Sequence, residues 1–270
     1  AARAITAALD ERGHDPVAVR EPMPYGDLAE QAGMRFETMA DLDAAGVTVE
    51  EREEFEQYVD RGHVVFAGVD YGRIADAVRD EGADVLVWDG GNNELPFYRP
   101  DVHFVFADPL RAGHERRYHP GETNLRLADY VVVNKENAAD PDDVDTVVEN
   151  AREANPDAEV IHADSVVTVP ADAAIEGKRV LAVEDGPTLT HGGASTGAAT
   201  VAAREHGAVE LVDPRDAAVG SLADVFAHYD HLGPVLPAMG YSDEQIADIE
   251  ATIRNADPEV VVSGTPHDLG

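Results

Sequence analysis

The sequence predicts an α/β protein with a doubly wound, mainly parallel β-sheet. Three near-continuous apolar runs favour this class, because strands buried on both faces of a parallel sheet carry few polar residues. They lie at residues 84–89, 102–108 and 130–135. Segments with the apolar periodicity of helices lie around these runs, so strand and helix patterns alternate as they do in βαβ units.

The elements of the first part of the chain follow from periodicity and end signals. An opening helical pattern ends at Gly13, a residue suited to a helix C-cap, and a short strand follows at 16–20. The remaining predictions are helices at 50–59, 70–82 and 141–156 and a strand at 159–163.

The same rhythm continues in the second part, with strands at 179–184, 208–212 and 258–262 and helices at 196–206, 221–229 and 242–254. The stretch 231–242, rich in proline and glycine, is predicted to be a rigid loop. A soft boundary near 168–177 predicts an α/β region at 1–170 and a second α/β region at 171–270. The alternation leaves open whether the second region belongs to the same core. Residue 1 already lies in a helical pattern and residue 270 closely follows a strand pattern, so we expect a chain cut at both ends.

The charge is strongly acidic, with 54 Asp and Glu residues against 20 Lys and Arg, a net charge of −34, and lysine only at positions 135 and 178. A dispersed acidic coat suits a protein kept in molar salt, where screening weakens self-repulsion. We therefore expect a halophilic source; an acidic protein that binds basic partners is the alternative. Nucleic acid is not expected as a partner, because the chain shows no basic stripe.

Other compositional features exclude further classes. The chain has no cysteine, which excludes disulfides, thiolate metal sites and a cysteine nucleophile. No apolar run approaches the ~20 residues of a membrane span, and the start lacks a signal-peptide core. We expect a cytoplasmic protein that does not enter membranes, with a homodimer as the candidate assembly.

The stretch "VLVWDGG" at 85–91 places one acid, Asp89, directly after a buried strand. In P-loop NTPases such a strand delivers a carboxylate to magnesium, which predicts a P-loop NTPase-like core. The Gly-rich loop that should accompany it, G-x-x-x-x-G-K-[ST], does not occur in these 270 residues. The alternative is that Asp89 only caps the loop after its strand.

The stretch "VVVNKEN" at 131–137 is similar to the Asn-Lys-x-Asp motif with which GTPases bind guanine. Asn134 and Lys135 could pack against a base. Asn137 occupies the position of the acid, and an amide cannot accept both hydrogen bonds from guanine. The alternative is a strand end followed by a helix cap.

The segment 99–126 is a basic island in an acidic chain and is a candidate site for a small polyanion, because arginine pairs bidentately with phosphate and carboxylate. Intramolecular ion pairs are the alternative. The island carries Arg99, Arg111, Arg116, Arg117 and Arg126, with His103, His114 and His119.

A second loop, in the stretch 183–207, is rich in glycine and opens a helix, which predicts an anion site made of backbone N–H groups. Gly192 and Gly193 would present these donors, and Ser195 would add a hydroxyl. His191 would bind phosphate or carry a proton; capping of the turn is the alternative.

The chain contains the stretches "REPMPYGDL", "LVWDGGNNELPFYRPD", "DPLRAGHERRYHPGETNLRLAD", "VEDGPTLTHGG" and "GPVLPAMGY". In these stretches it resembles the predicted GTPases related to cyclic 2,3-diphosphoglycerate synthetase. The resemblance implies an N-terminal domain and a P-loop upstream, and a Mg²⁺-dependent enzyme that transfers a phosphoryl group from ATP or GTP to a small polyanionic acceptor, with 2,3-diphosphoglycerate as the candidate. It also implies Asp89 as the magnesium carboxylate and Asp27 as a second acid.

We therefore expect a phosphoryl-transfer synthetase in which Asp89, His114 and His191 form the catalytic group. Acceptor phosphates would contact Arg111, Arg116 and Arg117. The alternatives are a GTPase switch or metallochaperone-like GTPase that acts through a protein partner, and a module that binds anions without turnover.

Overall fold

The computed structural model describes residues 1–23, 27–47, 49–91, 94–190, 193–238 and 243–265. It divides into two compact units, Ala1–Val166 and Val167–Gly270. Each unit is described by itself.

The first sheet of the first unit has the strand order β2-β3-β1-β4. Strands β1, β3 and β4 are parallel, whereas the short β2 runs antiparallel to β3. Its elements are α1 (Ala2–Asp10), β1 (Pro16–Arg20), β2 (Met34–Phe36), α2 (Met39–Ala45), α3 (Val49–Val59), β3 (Val65–Ala67), α4 (Tyr71–Glu81) and β4 (Val85–Trp88).

Local sequence signals fix the helices around this sheet. The Thr38 side chain and Asp41 form a capping box at the start of α2, and the Asp70 side chain caps α4 by accepting from Arg73 N. The rings of Phe36 and Phe55 stack with centroids 5.2 Å apart in the core between the sheet and α3. Packing of α3 against the sheet therefore brings its inner face close to β1.

The second sheet of the first unit has the order β5-β6-β7, with all pairs parallel. Pro141 starts α6 and Asp140 caps it. The buried Asn155 donates to Leu125 O and Ala128 O, which fastens the end of α6 to α5. The elements are β5 (Phe104–Ala107), α5 (Gly121–Leu127), β6 (Tyr130–Val133), α6 (Pro141–Ala154) and β7 (Glu159–His162).

The second unit is built around the long strand β8, which pairs in parallel with β9, β10 and β11. Five of its seven residues, Val180 to Glu184, are buried, a pattern typical of a central parallel strand. The elements are β8 (Arg179–Asp185), α7 (Gly186–Thr190), α8 (Ala198–Glu205), β9 (Glu210–Leu211), α9 (Ser221–His228), β10 (Val235–Ala238), α10 (Asp243–Ala256) and β11 (Val260–Gly264).

The predicted α/β class and the mainly parallel pairing are confirmed. One difference lies in the stretch 231–242, which the sequence predicts as a rigid loop and which contains β10. None of the described helices combines the length and apolar character that crossing a bilayer requires.

The core of the second unit contains a buried carboxylate. Glu184 on β8 is 1% exposed and accepts hydrogen bonds from Ala199 N at 3.1 Å, Thr200 N at 2.7 Å and Thr200 Oγ1 at 2.7 Å. The N-terminal N–H groups of a helix favour an anion, so α8 compensates the buried charge. A Cβ on Gly197 would lie 2.5 Å from Glu184 Oε2, and one on Gly264 would lie 2.9 Å from it. The two glycines therefore make room for this carboxylate.

Replacing Glu184 with glutamine should destabilise the protein by about 2–3 kcal/mol, because the amide keeps one acceptor and turns an NH₂ group toward backbone donors. Glu205→Gln removes the same charge from the exposed last turn of α8 and should cost less than about 0.5 kcal/mol. Urea denaturation in molar KCl compares both variants with the wild type. Equal unfolding midpoints for the two variants would contradict the structural role of Glu184.

Candidate functional site

A charged cluster lies where β1 and β4 end. The two strands are parallel neighbours, with Val19 opposite Trp88, and the next backbone bond joins Asp89 N to Val19 O at 2.9 Å. This register places Arg20, the last residue of β1, beside Asp89. The carboxyl ends of parallel strands are where α/β proteins form ligand sites.

Arg20 and Asp89 form an ion pair in this cluster. The Arg20 guanidinium, on a side chain that is 15% exposed, donates to Asp89 Oδ2 and, at 2.5 Å, to Glu54 Oε2 on α3. Burial alone would lower the pKa of Arg20, but the charges of Asp89 and Glu54 raise it. Arg20 therefore stays charged and holds two carboxylates.

Tyr58 completes the cluster from α3. Its side chain is almost fully buried and its hydroxyl donates to Asp89 Oδ2 at 2.7 Å. Burial, and then the charge of Asp89, raise the pKa of Tyr58, so the hydroxyl remains a donor. Asp89 Oδ2 thus receives hydrogen bonds from both Tyr58 and Arg20, which fixes the orientation of the carboxylate.

The fit of a magnesium ion to these residues is partial. Asp89 supplies the type of oxygen ligand that Mg²⁺ prefers, and Mg²⁺ on nucleotides often uses only one or two protein carboxylates. However, Asp89 Oδ2 is engaged by Arg20 and Tyr58, and across the described ranges no group of three or more His, Asp or Glu side chains could hold a metal. Asp27 is exposed and its carboxylate accepts from Ala29 N at 2.8 Å, as in a turn cap. Magnesium binding by Asp89 and Asp27 stays a prediction.

The predicted base-binding residues follow the carboxyl end of β6, in the second sheet of the first unit. Asn134 N bonds to Ala107 O at 3.0 Å, and Lys135, in the left-handed region at φ 65°, donates through Nζ to Asp108 Oδ2 at 2.7 Å. The Asn137 amide accepts from Ser165 N at 3.0 Å and donates to Ser165 O at 3.3 Å. Asn137 therefore ties together the loops that follow β6 and β7, and only its remaining lone pair and N–H could contact a base.

The basic island is partly neutralised by the protein itself. Arg116 donates to Glu153 at 2.6 Å and to Asn150 at 3.0 Å, and Arg126 pairs with Glu122 at 2.7 Å. These contacts match the alternative of intramolecular ion pairs. In the described part of the chain Arg111 and Arg117 are exposed and form no such pair.

The remaining predicted residues of the island and of the Gly-rich loop are less informative. The exposed His114 ring packs edge-on against Tyr118, with centroids 5.0 Å apart. His191 and Gly192 lie outside the described residues, and Gly193 has φ 66°. Ser195 O accepts from Gly233 N at 2.8 Å. The first N–H groups of α8, predicted to face a ligand anion, instead bind Glu184, and the ligand roles of Gly193 and Ser195 stay predictions.

Sequence reasoning found Asp89 and missed its neighbours Arg20, Glu54 and Tyr58. Arg20 carried a weak signal, as a charged residue that ends an otherwise apolar strand. Glu54 and Tyr58 carried none, because they lie on a polar helix and approach Asp89 only through packing of α3.

The chain is similar over nearly its whole length to one curated protein. It is 52% identical over 267 residues to the arginine synthetase ArcE of Thermococcus kodakarensis, an alignment that covers 99% of this chain and 59% of that protein. The chain thus spans about three fifths of the length of this relative. No protein-family model matches the chain.

Solved structures of HypB give weaker similarities. The HypB of Helicobacter pylori in complex with nickel is 14% identical, with a TM-score of 0.33 over 60% of this chain and 84% of that chain. The hydrogenase maturation factor HypB of Archaeoglobus fulgidus is 18% identical, with a TM-score of 0.27 over 60% of this chain and 87% of that chain. TM-scores this low do not establish a shared fold.

The hydroxyl of Tyr58 should matter more for stability than that of Tyr98. Tyr58→Phe removes a hydrogen bond to a charged carboxylate and should cost about 1.5–3 kcal/mol of unfolding free energy. Tyr98→Phe removes a bond to the neutral Tyr71 O, of 2.8 Å, and should cost about 1 kcal/mol. Chemical denaturation of both variants in molar KCl measures the difference. A smaller cost for Tyr58→Phe than for Tyr98→Phe would show that Tyr58 does not support the Asp89 charge.

Proposed function

We propose that the protein is a nucleotide-dependent synthetase that forms arginine. The observation that carries this proposal is the 52% identity to an arginine synthetase across 99% of the chain. The cluster of Arg20, Glu54, Tyr58 and Asp89 supports it, because charged groups fixed at the carboxyl ends of parallel strands suit a reaction that moves phosphate.

The chemistry explains why nucleotide is needed. A guanidinium group can be made from a ureido group by exchanging its oxygen for nitrogen, and that oxygen is a poor leaving group. In the proposed reaction the ureido oxygen attacks the terminal phosphorus of the nucleotide and the nucleoside diphosphate leaves. An amine nitrogen then adds to the ureido carbon and loses a proton, and inorganic phosphate leaves with the former ureido oxygen.

The residues of the cluster would act through charge and orientation. The Arg20 guanidinium can exchange a carboxylate for a phosphate oxygen, because it pairs bidentately with either. Asp89, oriented by Tyr58, would hold magnesium, which when bound neutralises charge on the nucleotide phosphates. Lys135 and Asn134 would sit beside the base at the ends of β5 and β6. This is phosphoryl transfer by positioning and charge neutralisation.

The polyanionic acceptor expected from the sequence is a separate question. The name of the similar protein points to arginine and not to 2,3-diphosphoglycerate. Arg116 and Arg126 of the basic island are already paired with carboxylates. Acceptor binding by Arg111, His114 and Arg117 therefore stays a prediction, as does the GTPase alternative.

The full-length protein should form arginine from L-citrulline, the amino acid with a ureido group in place of the guanidinium. The assay uses molar KCl, Mg²⁺, ATP or GTP, and ammonium chloride or L-glutamine as nitrogen donor, with amino-acid chromatography and phosphorus NMR as readouts. Asp89→Asn should lower the rate by about a hundredfold or more. Asp84→Asn alters an exposed acid paired with His14 and should leave the rate near that of wild type.

Other outcomes of this assay identify the alternatives. Nucleotide hydrolysis that is independent of citrulline and forms no arginine would contradict the proposal and favour the GTPase. New anhydride phosphorus signals when 2,3-diphosphoglycerate replaces citrulline would favour the polyanionic acceptor.

Asn137 should make the base site prefer adenine. An amide accepts one hydrogen bond and donates another, which matches the adenine edge, whereas the guanine edge offers two donors that suit a carboxylate. We expect ATP to be the better substrate and Asn137→Asp to shift the ratio of kcat/KM for GTP over ATP upward by about tenfold. Asn255→Asp, the same change on α10, is the control. An unchanged ratio in Asn137→Asp would remove Asn137 from the base site.

A further inference from the structure

Four aromatic rings gather next to the charged cluster, all within the first unit. Tyr71, the first residue of α4, stacks on Phe97 with centroids 3.8 Å apart, and Trp88 at the end of β4 lies 5.9 Å from Phe97. Tyr98 packs edge-on against Trp88 at 5.8 Å and bonds to Tyr71 O. Phe97 is nevertheless 58% exposed, so the group presents an aromatic wall to solvent.

Glu94 lies in the loop that carries this wall. Its carboxylate oxygen Oε2 is buried and has no hydrogen-bond partner among the described residues. The backbone of Glu94 is fixed by a hydrogen bond, because the buried Asn124 on α5 donates to Glu94 O at 2.7 Å. A Cβ on Gly90 would lie 3.4 Å from Glu94 Oε2 and 2.6 Å from Trp88 Nε1, so glycine at this position keeps the space between them open.

The surroundings of Glu94 favour binding of a cation beside its carboxylate. The pKa of Glu94 is raised, first by burial and then by the charges of Glu21 and Glu54, although a hydrogen bond from the Gly91 backbone acts the other way. This bond leaves the buried oxygen Oε2 without a hydrogen-bond partner among the described residues, and an ionised carboxylate in this state costs free energy unless a positive group meets it. Arg20 also acts on Glu94, but its guanidinium already holds Asp89 and Glu54.

We propose that Glu94 and the aromatic wall of Tyr71, Trp88 and Phe97 bind the guanidinium group of arginine, the product of the proposed reaction. A planar cation of this kind donates to carboxylate oxygens and stacks on aromatic faces. The assignment rests on the proposed function. It places the reacting end of the amino acid beside Arg20 and Asp89, where the phosphates are proposed to lie.

The site should favour the cationic product group over the neutral ureido group. Both are planar and of similar size, so both can stack on the rings. Only the guanidinium neutralises the Glu94 charge. Loss of that charge should therefore weaken arginine binding far more than citrulline binding.

Trp88 makes the test direct, because it is the only tryptophan in the sequence. L-arginine and L-citrulline are titrated into the full-length protein in molar KCl, with calorimetry and tryptophan emission as readouts, and any tryptophan outside these 270 residues is first replaced by phenylalanine. Arginine should change the emission saturably, and Glu94→Gln should raise its dissociation constant by about tenfold or more, with less than a twofold change for citrulline. Glu159→Gln, at the exposed start of β7, is the matched charge control and should bind as the wild type does.

Phe97→Leu tests the rings independently, because it keeps an apolar side chain and removes an aromatic ring that is 58% exposed and so accessible to a ligand. It should weaken arginine binding several-fold. Glu94→Gln itself should fold well. Folding raises the pKa of Glu94, so its contribution to stability is present below its unfolded pKa and is lost as the pH rises and the group ionises. The neutral amide of Glu94→Gln should therefore raise the thermal midpoint at pH 7.

Wild-type arginine affinity in Glu94→Gln, or no response of Trp88 and no heat with arginine, would overturn the assignment. The arginine-forming assay separates this failure from failure of the proposed function. If the wild type forms arginine while Glu94→Gln keeps the wild-type affinity, only the assignment to Glu94 is wrong. If the wild type neither forms nor binds arginine, the proposed function fails as well.

Discussion

The ion pair between Arg20 and Asp89 is the interaction on which the candidate site depends. It exists because β1 and β4 are parallel neighbours that end at the same edge, so the last residue of one strand meets the first loop residue of the other. Neither charge would be stable alone in this partly buried position. On α3, Glu54 is a second partner of Arg20 and Tyr58 is a second partner of Asp89. The position of α3 is thereby coupled to the site: a ligand that draws Arg20 away must leave Glu54 with another cation or with water. A bound metal–nucleotide complex could satisfy both residues at once, with a phosphate oxygen beside Arg20 and the metal beside Asp89.

The second unit compensates a buried acid in another way. Glu184 is satisfied by backbone N–H groups of α8 and a threonine hydroxyl, and no cation is involved. This solution fixes the crossing of β8 and α8, because the carboxylate reaches the helix only where Gly197 and Gly264 leave space. Gly197 belongs to the Gly-rich stretch before α8, so at least one glycine of that stretch makes room for an internal carboxylate.

The sequence predicts β6 and β8, whose apolar runs are buried, and it also predicts β4 and β5, whose apolar runs are only partly buried. It fails at β10, because Pro237 lies inside that strand and proline normally ends one. The structure tolerates it because β10 stands at the end of the order β10-β8-β11. For the site, Asp89 is predictable from its place after an apolar run. Arg20 and Tyr58 are not, since they lie 69 and 31 residues away from Asp89 in sequence and meet it only in the folded chain.

A protein with a net charge of −34 raises the question of how any one carboxylate could select a cation. Most of its acids are exposed, and in molar salt the screening length of about 3 Å leaves each of them a weak and interchangeable site. Glu94 differs because its Oε2 is shielded from solvent and so from mobile ions. A hydrated K⁺ gains little there, since it must shed water without meeting enough oxygens, whereas a guanidinium brings its own donors and a face for Tyr71 and Phe97. Selectivity for a guanidinium over other cations would therefore come from desolvation of Glu94 and from the geometry of the rings. Negative charge by itself cannot provide it, because exposed carboxylates are spread over the whole chain.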